Sequence, residues 1–416
     1  MFDITAVVQW LKKKFTAKDF LLFCVLIICY LATRIINLDK FPIFTDEGIY
    51  IHWSKIAWHD ANWRFISLTD GKQPLHTWGM IPFLKIFSPN LLLGGRAFSV
   101  LTGLIALKGV FSLAYYLWGK KAAFVTSFLY VFTPMFMFYD RMALADSAVN
   151  AGFIWILFGS ILLIRTLRLD VALGLGIISG LALLTKSSSQ MFLGLSALAP
   201  IIVYQKGKKK FLSSTFNYYV LLALTGFIAL AMYNVQRLSP FLQFVAQKNT
   251  TFVMSFGEFV KAPFSLILGN LHLIPWYVSA EMSYVATLLG LAGLVMLYRK
   301  DRQLALYFAL WIILPYIAIS TFAKVIFPRY IVFFASTLIL TAGYLISQTK
   351  NKSLALGYWF VFFASVAYFN YTIVTASDVI PFPPVDRGQY IESANSGYGV
   401  KEIIGYAREK AKAFLE

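Results

Sequence analysis

The chain is short of acid. Of its 416 residues only 19 are Asp or Glu, against 37 Lys or Arg, and charged residues make up 13% of the whole. A soluble domain carries roughly 25% charge. Hydrophobic residues reach 59%, so the composition excludes a soluble globular protein and leaves an integral membrane protein with many helices. Cysteine is scarce too. Cys24 and Cys29 both lie in the first apolar run. They are too few for a disulfide framework, and their setting suits no metal site, so both read as packing residues. No internal repeat is visible, which counts against a transporter built from inverted halves. The first apolar run is span-length and lacks a small-residue cleavage site, so it reads as a retained helix, not a cleaved leader.

The formal net charge is +18. The cations are scattered in short loops between apolar runs, a topology pattern that argues against nucleic acid and for anionic lipid headgroups. Runs of the required ~20 residues fall at 19–38, 91–117, 122–139, 142–164, 171–186, 189–204, 212–236, 282–298, 304–322, 330–347 and 353–376. The expected fold is all-α, a polytopic bundle of about 11 spans. With the N-terminus cytoplasmic, the inner segments hold Lys12, Lys13, Lys14, Lys18, Lys120, Lys121, Arg165, Arg168, Lys206, Lys208, Lys209, Lys210, Arg299, Lys300, Arg302, Lys350 and Lys352. The acids on that side are Asp3, Asp19, Asp170 and Asp301. The positive-inside rule therefore puts the N-terminus in, and an odd span count puts the C-terminus out. The location expected is the plasma membrane.

Two outer segments are long, 39–90 and 237–281, and both are rich in aromatic residues. In 46–63, Ile49, Trp53 and Ile56 recur at helical spacing, which predicts an amphipathic helix resting that face on the bilayer. The chain divides into a membrane domain over 1–376 and a polar tail over 377–416. The tail has a helix near 399–414, is too short for a core of its own, and suits the start of a shortened soluble domain.

Polar groups at the outer edge of a bundle are costly and therefore mark function. Five stretches qualify. "TDEGIY" sets Asp46 and Glu47 after Thr45, which reads equally as an N-cap followed by dipole-facing acids or as a catalytic pair. "DGKQPLHTW" has a turn at Asp70-Gly71 and a helix start at Pro74, with Lys72 and His76 around it; Lys72 is either a solvated loop cation or a point charge for phosphate. "YDRMALADS" places Asp140 and Arg141 at a span end and Asp146 about a turn and a half inside the next, as a structural ion pair or as part of a site. "LTKSSSQ" carries Lys186 between two short spans, a snorkelling position. "FPRYIVFF" opens a span with Arg329 and Tyr330, as an interfacial anchor or as a phosphate grip. All five fall on one side of the membrane, which suits a reaction on a lipid-borne phosphate.

The order "TDEGIY", "KQPLHTW", "RMALAD", "FPRY" resembles the multi-span glycosyltransferases of the GT-C fold, closest to the protein O-mannosyltransferase and aminoarabinose-transferase branch. The resemblance covers most of 1–376. It implies a polyprenyl-phosphate sugar donor and a lipid, glycan or protein hydroxyl as acceptor, with transfer on the extracytoplasmic face. It implies Asp46 as catalytic carboxylate with Glu47 its neighbour, Lys72 and Arg329 as donor-phosphate contacts, and Arg141 and Asp146 in the same pocket; His76, Lys186 and Tyr330 complete the candidate set. The sequence departs from the family at Gln73, where a proline is common, and at Gly48, Ile49 and Tyr50, where some members carry an arginine. The 237–281 segment is too short for the extra luminal domain of the protein O-mannosyltransferases. The expected reaction is displacement at the anomeric carbon with Asp46 as general base. One displacement inverts and two retain. No cofactor is required, and no ligand spacing demands a metal, although Asp46, Glu47 and Asp146 are candidate ligands. The alternative is a transporter or flippase of lipid-linked sugars, which holds phosphate without chemistry; a membrane scaffold has no need of Asp146 or Lys186.

Overall fold

The computed structural model describes residues 15–204 and 209–415. Of the residues used for orientation, Asp3, Lys12, Lys13, Lys14, Lys206 and Lys208 lie outside these ranges.

Every apolar run expected to span is helical. α1 is Ala17–Ile35, and the long segment 39–90 holds α2, Thr45–His59, and α3, Leu75–Ile86. Then come α4 (Leu91–Trp118), α5 (Lys120–Phe132), α6 (Pro134–Tyr139), α7 (Asp146–Thr166), α8 (Leu169–Thr185), α9 (Ser189–Ser196) and α10 (Lys209–Tyr233). The long segment 237–281 forms α11 (Gln243–Phe252), α12 (Phe256–Lys261) and most of α13 (Ile267–Met282). The chain closes with α14 (Tyr284–Lys300), α15 (Arg302–Phe322), α16 (Val332–Gln348), α17 (Lys352–Thr375), α18 (Pro384–Arg387) and α19 (Val400–Leu415). The described residues form no strands, and the all-helical expectation holds.

Among the described residues, six helices are long and apolar enough to cross a bilayer, and α13 and α14 reach that length only as a pair, bent by 109° as a broken span or a re-entrant loop. The runs read as further spans are shorter or broken, except that α1 is an unbroken 19 residues with Lys18, Asp19 and Arg34 near its ends. Pro134 lacks an N–H and divides 122–139 into α5 and α6. The 13 residues of α5 rise only about 20 Å, against a hydrocarbon core of ~30 Å. The 189–204 run ends its helix at Ser196 and continues as a 3-10 turn. The end of the 237–281 segment, read as too mixed to span, is the helix α13.

α16 is the central rod: every residue from Val332 to Ser347 is buried. It packs on α14, α5 and α7. Close approach is built in at Gly293, where a Cβ would collide with the Thr341 carbonyl oxygen of α16, and Thr341 Oγ1 donates to the Gly290 carbonyl at 2.7 Å. The rim is inverted relative to a soluble protein. α1 exposes Phe20, Leu21, Leu22, Phe23, Val25 and Ile28, and Cys24, expected to pack, lies on that exposed face. Lipid is as apolar as Leu, so such faces cost nothing in a bilayer.

The C-terminal end of α1 and the turn that leads into α7 are locked together. Arg34 and Asp140, both buried, pair at 3.3 Å, and Ser147 donates to Asp140 at 2.8 Å. Arg141 donates to the carbonyl oxygens of Thr33, Arg34, Ile36 and Asn37. It therefore satisfies the orphan acceptors at the C-terminus of α1. Asp146 is the first residue of α7, not a turn and a half within it, because 140–145 form a turn.

α2 corrects two expectations. Its N-cap is Phe44, not Thr45, and the Phe44 N–H is taken by Glu47 Oε2 at 3.0 Å. Trp53 does not rest on the bilayer. It is buried with Ala57 and Ile66, against Ile49, Ile56 and Ile81, because the 66–70 turn and α3 fold back over that face. The tail is not a free extension either. Thr45 N–H donates to the Asn395 carbonyl at 3.0 Å. Tyr390 is buried with its ring centroid 4.8 Å from Phe44. Gly397 has φ +70, and a Cβ there would collide with the Ile43 carbonyl oxygen, so only glycine fits.

Candidate active site

The site gathers at the start of α2. Asp46 lies in its first turn and projects both carboxylate oxygens toward cations. Arg329 Nη2 stands 3.0 Å from Asp46 Oδ2. Lys72 Nζ stands 3.8 Å from Asp46 Oδ1 and 3.7 Å from Asp70 Oδ2. Asp46 and Lys72 are about one-quarter exposed, whereas Arg329 is 6% exposed. The carboxylate therefore opens to solvent while its guanidinium partner forms the floor.

Local sequence places each group. Gly71 takes φ +67, the left-handed turn that Gly tolerates, and swings Lys72 back over the Tyr50 ring, 4.9 Å from its centroid. Burial draws the Lys72 ammonium below its ordinary value, with Asp46 and Asp70 pulling it back up. Gln73 donates to Ser187 Oγ at 2.5 Å, so the departure from proline ties the 39–90 segment to the α8–α9 corner. Pro328 starts the 3-10 turn Pro328–Ile331, which aims Arg329 between the rings of Phe44 and Tyr330, 5.1 and 5.3 Å from their centroids. Arg329 Nε is buried and has no hydrogen-bond partner.

Asp146 and Lys186 form the far wall. Lys186 Nζ meets Asp146 Oδ1 at 2.7 Å and lies 4.1 Å above the Tyr330 ring. His76 is buried between Tyr50 and Phe98, at 4.9 and 5.3 Å between centroids. Burial pushes its imidazole down to about 4, so the ring is neutral near pH 7. Asp146 and Lys186 both act electrostatically on His76, and Asp46 and Asp146 both act on Tyr50. These groups thus lie within electrostatic range of one another.

Glu47 has another setting. It is fully buried, and Arg96 grips it at 2.8 Å through Nε and 2.7 Å through Nη2. Its remaining acceptor sites take the N–H groups of Phe44 and Ala143. No oxygen of Glu47 is left to meet a substrate. Arg96 Nη1 goes on to the carbonyls of Leu38 and Phe41, which folds the 38–47 loop and fixes where Asp46 emerges.

The structure thus brings together Asp46, Lys72, His76, Asp146, Lys186, Arg329 and Tyr330. It does not bring Arg141, which caps α1, and it holds Glu47 behind the site. Sequence reasoning missed Arg96 and Arg34. Both lie inside apolar runs, where an arginine is expensive enough to be a signal. It also missed Lys248, which pairs with Asp70 at 2.5 Å, and the buried Asp386 and Tyr390 of the tail. The Tyr139 hydroxyl donates to Asp386, and burial raises the Asp386 carboxyl to about 6.

Among the described residues no three His, Cys, Asp or Glu are grouped to hold a metal ion. The candidate trio does not fit one in this arrangement. Glu47 is saturated by N–H donors, Asp146 is engaged by Lys186, and Asp46 stands between two cations.

The comparisons with known proteins agree with this architecture. The family model described as dolichyl-phosphate-mannose-protein mannosyltransferase matches residues 71–233. No curated protein matches the chain. Among solved structures, ArnT from Cupriavidus metallidurans bound to undecaprenyl phosphate is similar at TM-score 0.61 and 17% identity, over 85% of this chain and 64% of that one. The oligosaccharyltransferase AglB from Archaeoglobus fulgidus, in complex with an inhibitory peptide and a dolichol-phosphate, is similar at TM-score 0.59 and 14% identity, over 90% and 57%. The chain therefore spans 64% and 57% of the lengths of these two proteins. At such identities the likeness shows the fold, and the fold is GT-C.

Proposed function

We propose that this GT-C-fold membrane protein is a glycosyltransferase. It moves a sugar from a polyprenyl-phosphate donor to a hydroxyl acceptor on the extracytoplasmic face. The observation that carries the reading is the Asp46–Arg329–Lys72 constellation: one carboxylate, about one-quarter exposed, held between two cations. The comparisons support it, since ArnT binds undecaprenyl phosphate and AglB was solved with a dolichol-phosphate.

In this reading the donor phosphate binds Arg329 and Lys72. Arg329 Nε, buried without a partner, gains an acceptor, which removes a desolvation cost of about 1–3 kcal/mol. The phosphate competes with Asp46 for both cations and so releases the carboxylate. Asp46 then takes the proton of the acceptor hydroxyl as general base, and the hydroxyl oxygen attacks the anomeric carbon. The bond from that carbon to the phosphate oxygen breaks, and the charge left on the phosphate is held by Lys72 and Arg329. A single displacement inverts the anomeric centre. Glu47 positions Asp46 through Arg96, and Asp146, Lys186, Tyr330 and neutral His76 line the pocket. No step is routed through a metal. The acceptor is a lipid, glycan or protein, and the cell membrane is the site of action.

The decisive experiment incubates purified protein with a labelled polyprenyl-phosphate sugar. Release of polyprenyl phosphate that stops in Asp46→Asn supports the enzyme. Transport of intact donor across proteoliposomes without release would instead support the lipid-linked sugar flippase. Full transfer by Asp46→Asn would overturn the base assignment.

A further inference from the structure

α19 stands apart from the bundle. From Val400 to Lys412 every residue is exposed, including Val400 at 41%, Ile403 at 68% and Ile404 at 46%. The exposed side chains are strongly sorted. At about 100° per residue, Val400, Ile403, Ile404, Ala407 and Ala411 fall within one arc of roughly 100°. Arg408, Lys401 and Lys412 follow along one border of that arc, and Lys410 lies on the other. Glu402 and Glu409 take the opposite pole. An apolar stripe edged by cations, with acids turned away, is the order an anionic lipid surface selects. The stripe enters the acyl boundary, and Lys and Arg stems lie along it with their charges at the headgroups. A helix paired with a second copy through the same stripe would line its seam with like charges.

The place of α19 fits the same occupant. The helix starts just after Gly397, which is packed against Ile43 beside Asp46, so it leaves from the rim of the candidate site. The bundle's exposed apolar faces define the membrane that the rim adjoins. We propose that α19 docks lengthwise on the anionic phospholipid surface bordering the site. It thereby ties the tail, and through Asn395 and Gly397 the start of α2, to the leaflet surface.

The full chain tests this in vesicles. In a Cys24→Ser, Cys29→Ser background, an environment-sensitive dye is attached at Ile404→Cys or at Glu409→Cys. The vesicles are phosphatidylcholine with or without phosphatidylglycerol, carrying brominated acyl chains. The expected result is a blue-shifted dye at 404, quenched several-fold more than the dye at 409. Replacing Lys401, Arg408 and Lys412 by Gln, or omitting phosphatidylglycerol, weakens docking by on the order of a hundredfold, at about 1 kcal/mol for each of the three cations. Equal solvent exposure at 404 and 409 in anionic vesicles overturns the proposal. So does protection at 404 that ignores bromine and grows with protein density, which assigns the stripe to a second copy.

Discussion

Glu47 and Arg96 face each other in a two-pronged ion pair with neither side chain exposed. Every acceptor site of Glu47 is taken by Arg96 or by a backbone N–H, whereas the adjacent Asp46 opens to solvent. Arg96→Met leaves a buried carboxylate unpaired, which costs about 3–5 kcal/mol. The melting temperature in detergent is expected to fall steeply, with sugar transfer lost as the fold is lost. Arg96→Met combined with Glu47→Leu is expected to melt closer to the parent than Arg96→Met alone. If the double variant is as unstable as the sum of the singles, the pairing is not the source of the effect.

Asp46 contrasts with it. Asp46→Asn keeps the volume and, on the proposed mechanism, removes the general base, so transfer is expected to fall by about 10²–10⁴ while the melting curve stays put. A comparable loss of stability in Asp46→Asn would place the residue with Glu47.

Arg329→Lys keeps a charge but loses the planar fork and its stacking on Phe44 and Tyr330. On the proposed mechanism the KM for donor is expected to rise and turnover to fall, because a phosphate contact at Arg329 would strengthen as charge develops. A change in KM for acceptor alone would assign Arg329 to the other substrate.

His76 supplies a pH prediction. Its folded-state value is about 4 against an unfolded value of about 6.5. The unfolded chain therefore binds the extra proton between these values. The stability held by neutral His76 is complete above the unfolded value and is lost as pH falls toward the folded one. At most this amounts to about 3 kcal/mol. His76→Phe is expected to narrow the difference between melting temperatures measured at about pH 7 and about pH 5. An undiminished difference would mean that other groups carry the acid sensitivity.

The tail offers a last test. Gly397→Ala forces a Cβ into the Ile43 carbonyl oxygen at a positive φ, and strain of this kind costs about 1–3 kcal/mol. Faster proteolysis between 380 and 400 and reduced transfer are expected together. Normal transfer in a chain ending at Val379 would show that the tail does not support α2.

Composition and the spacing of apolar runs were enough to establish a helical membrane bundle, because lipid requires every backbone group to be satisfied within a helix. The five polar stretches were legible for the same reason: each places cost where a membrane protein normally avoids it. Residue identity did not say what each charge meets. Asp46 and Glu47 are adjacent, yet one projects into the pocket and the other into the core, since neighbouring helical positions are turned by about 100°. Arg141 and Arg329 looked alike as edge cations, but one caps α1 and the other pairs with Asp46.

The sequence by itself thus determined the solvent of this protein and the inventory of its charged groups. Tertiary structure decided the partners. Only the folded chain brings residues 46, 72, 146, 186 and 329 within reach of one another, and only there does Arg96 neutralise Glu47 so that Asp46 is left as the carboxylate facing outward. Electrostatic interaction depends on separation and burial, and neither is written in the order of residues.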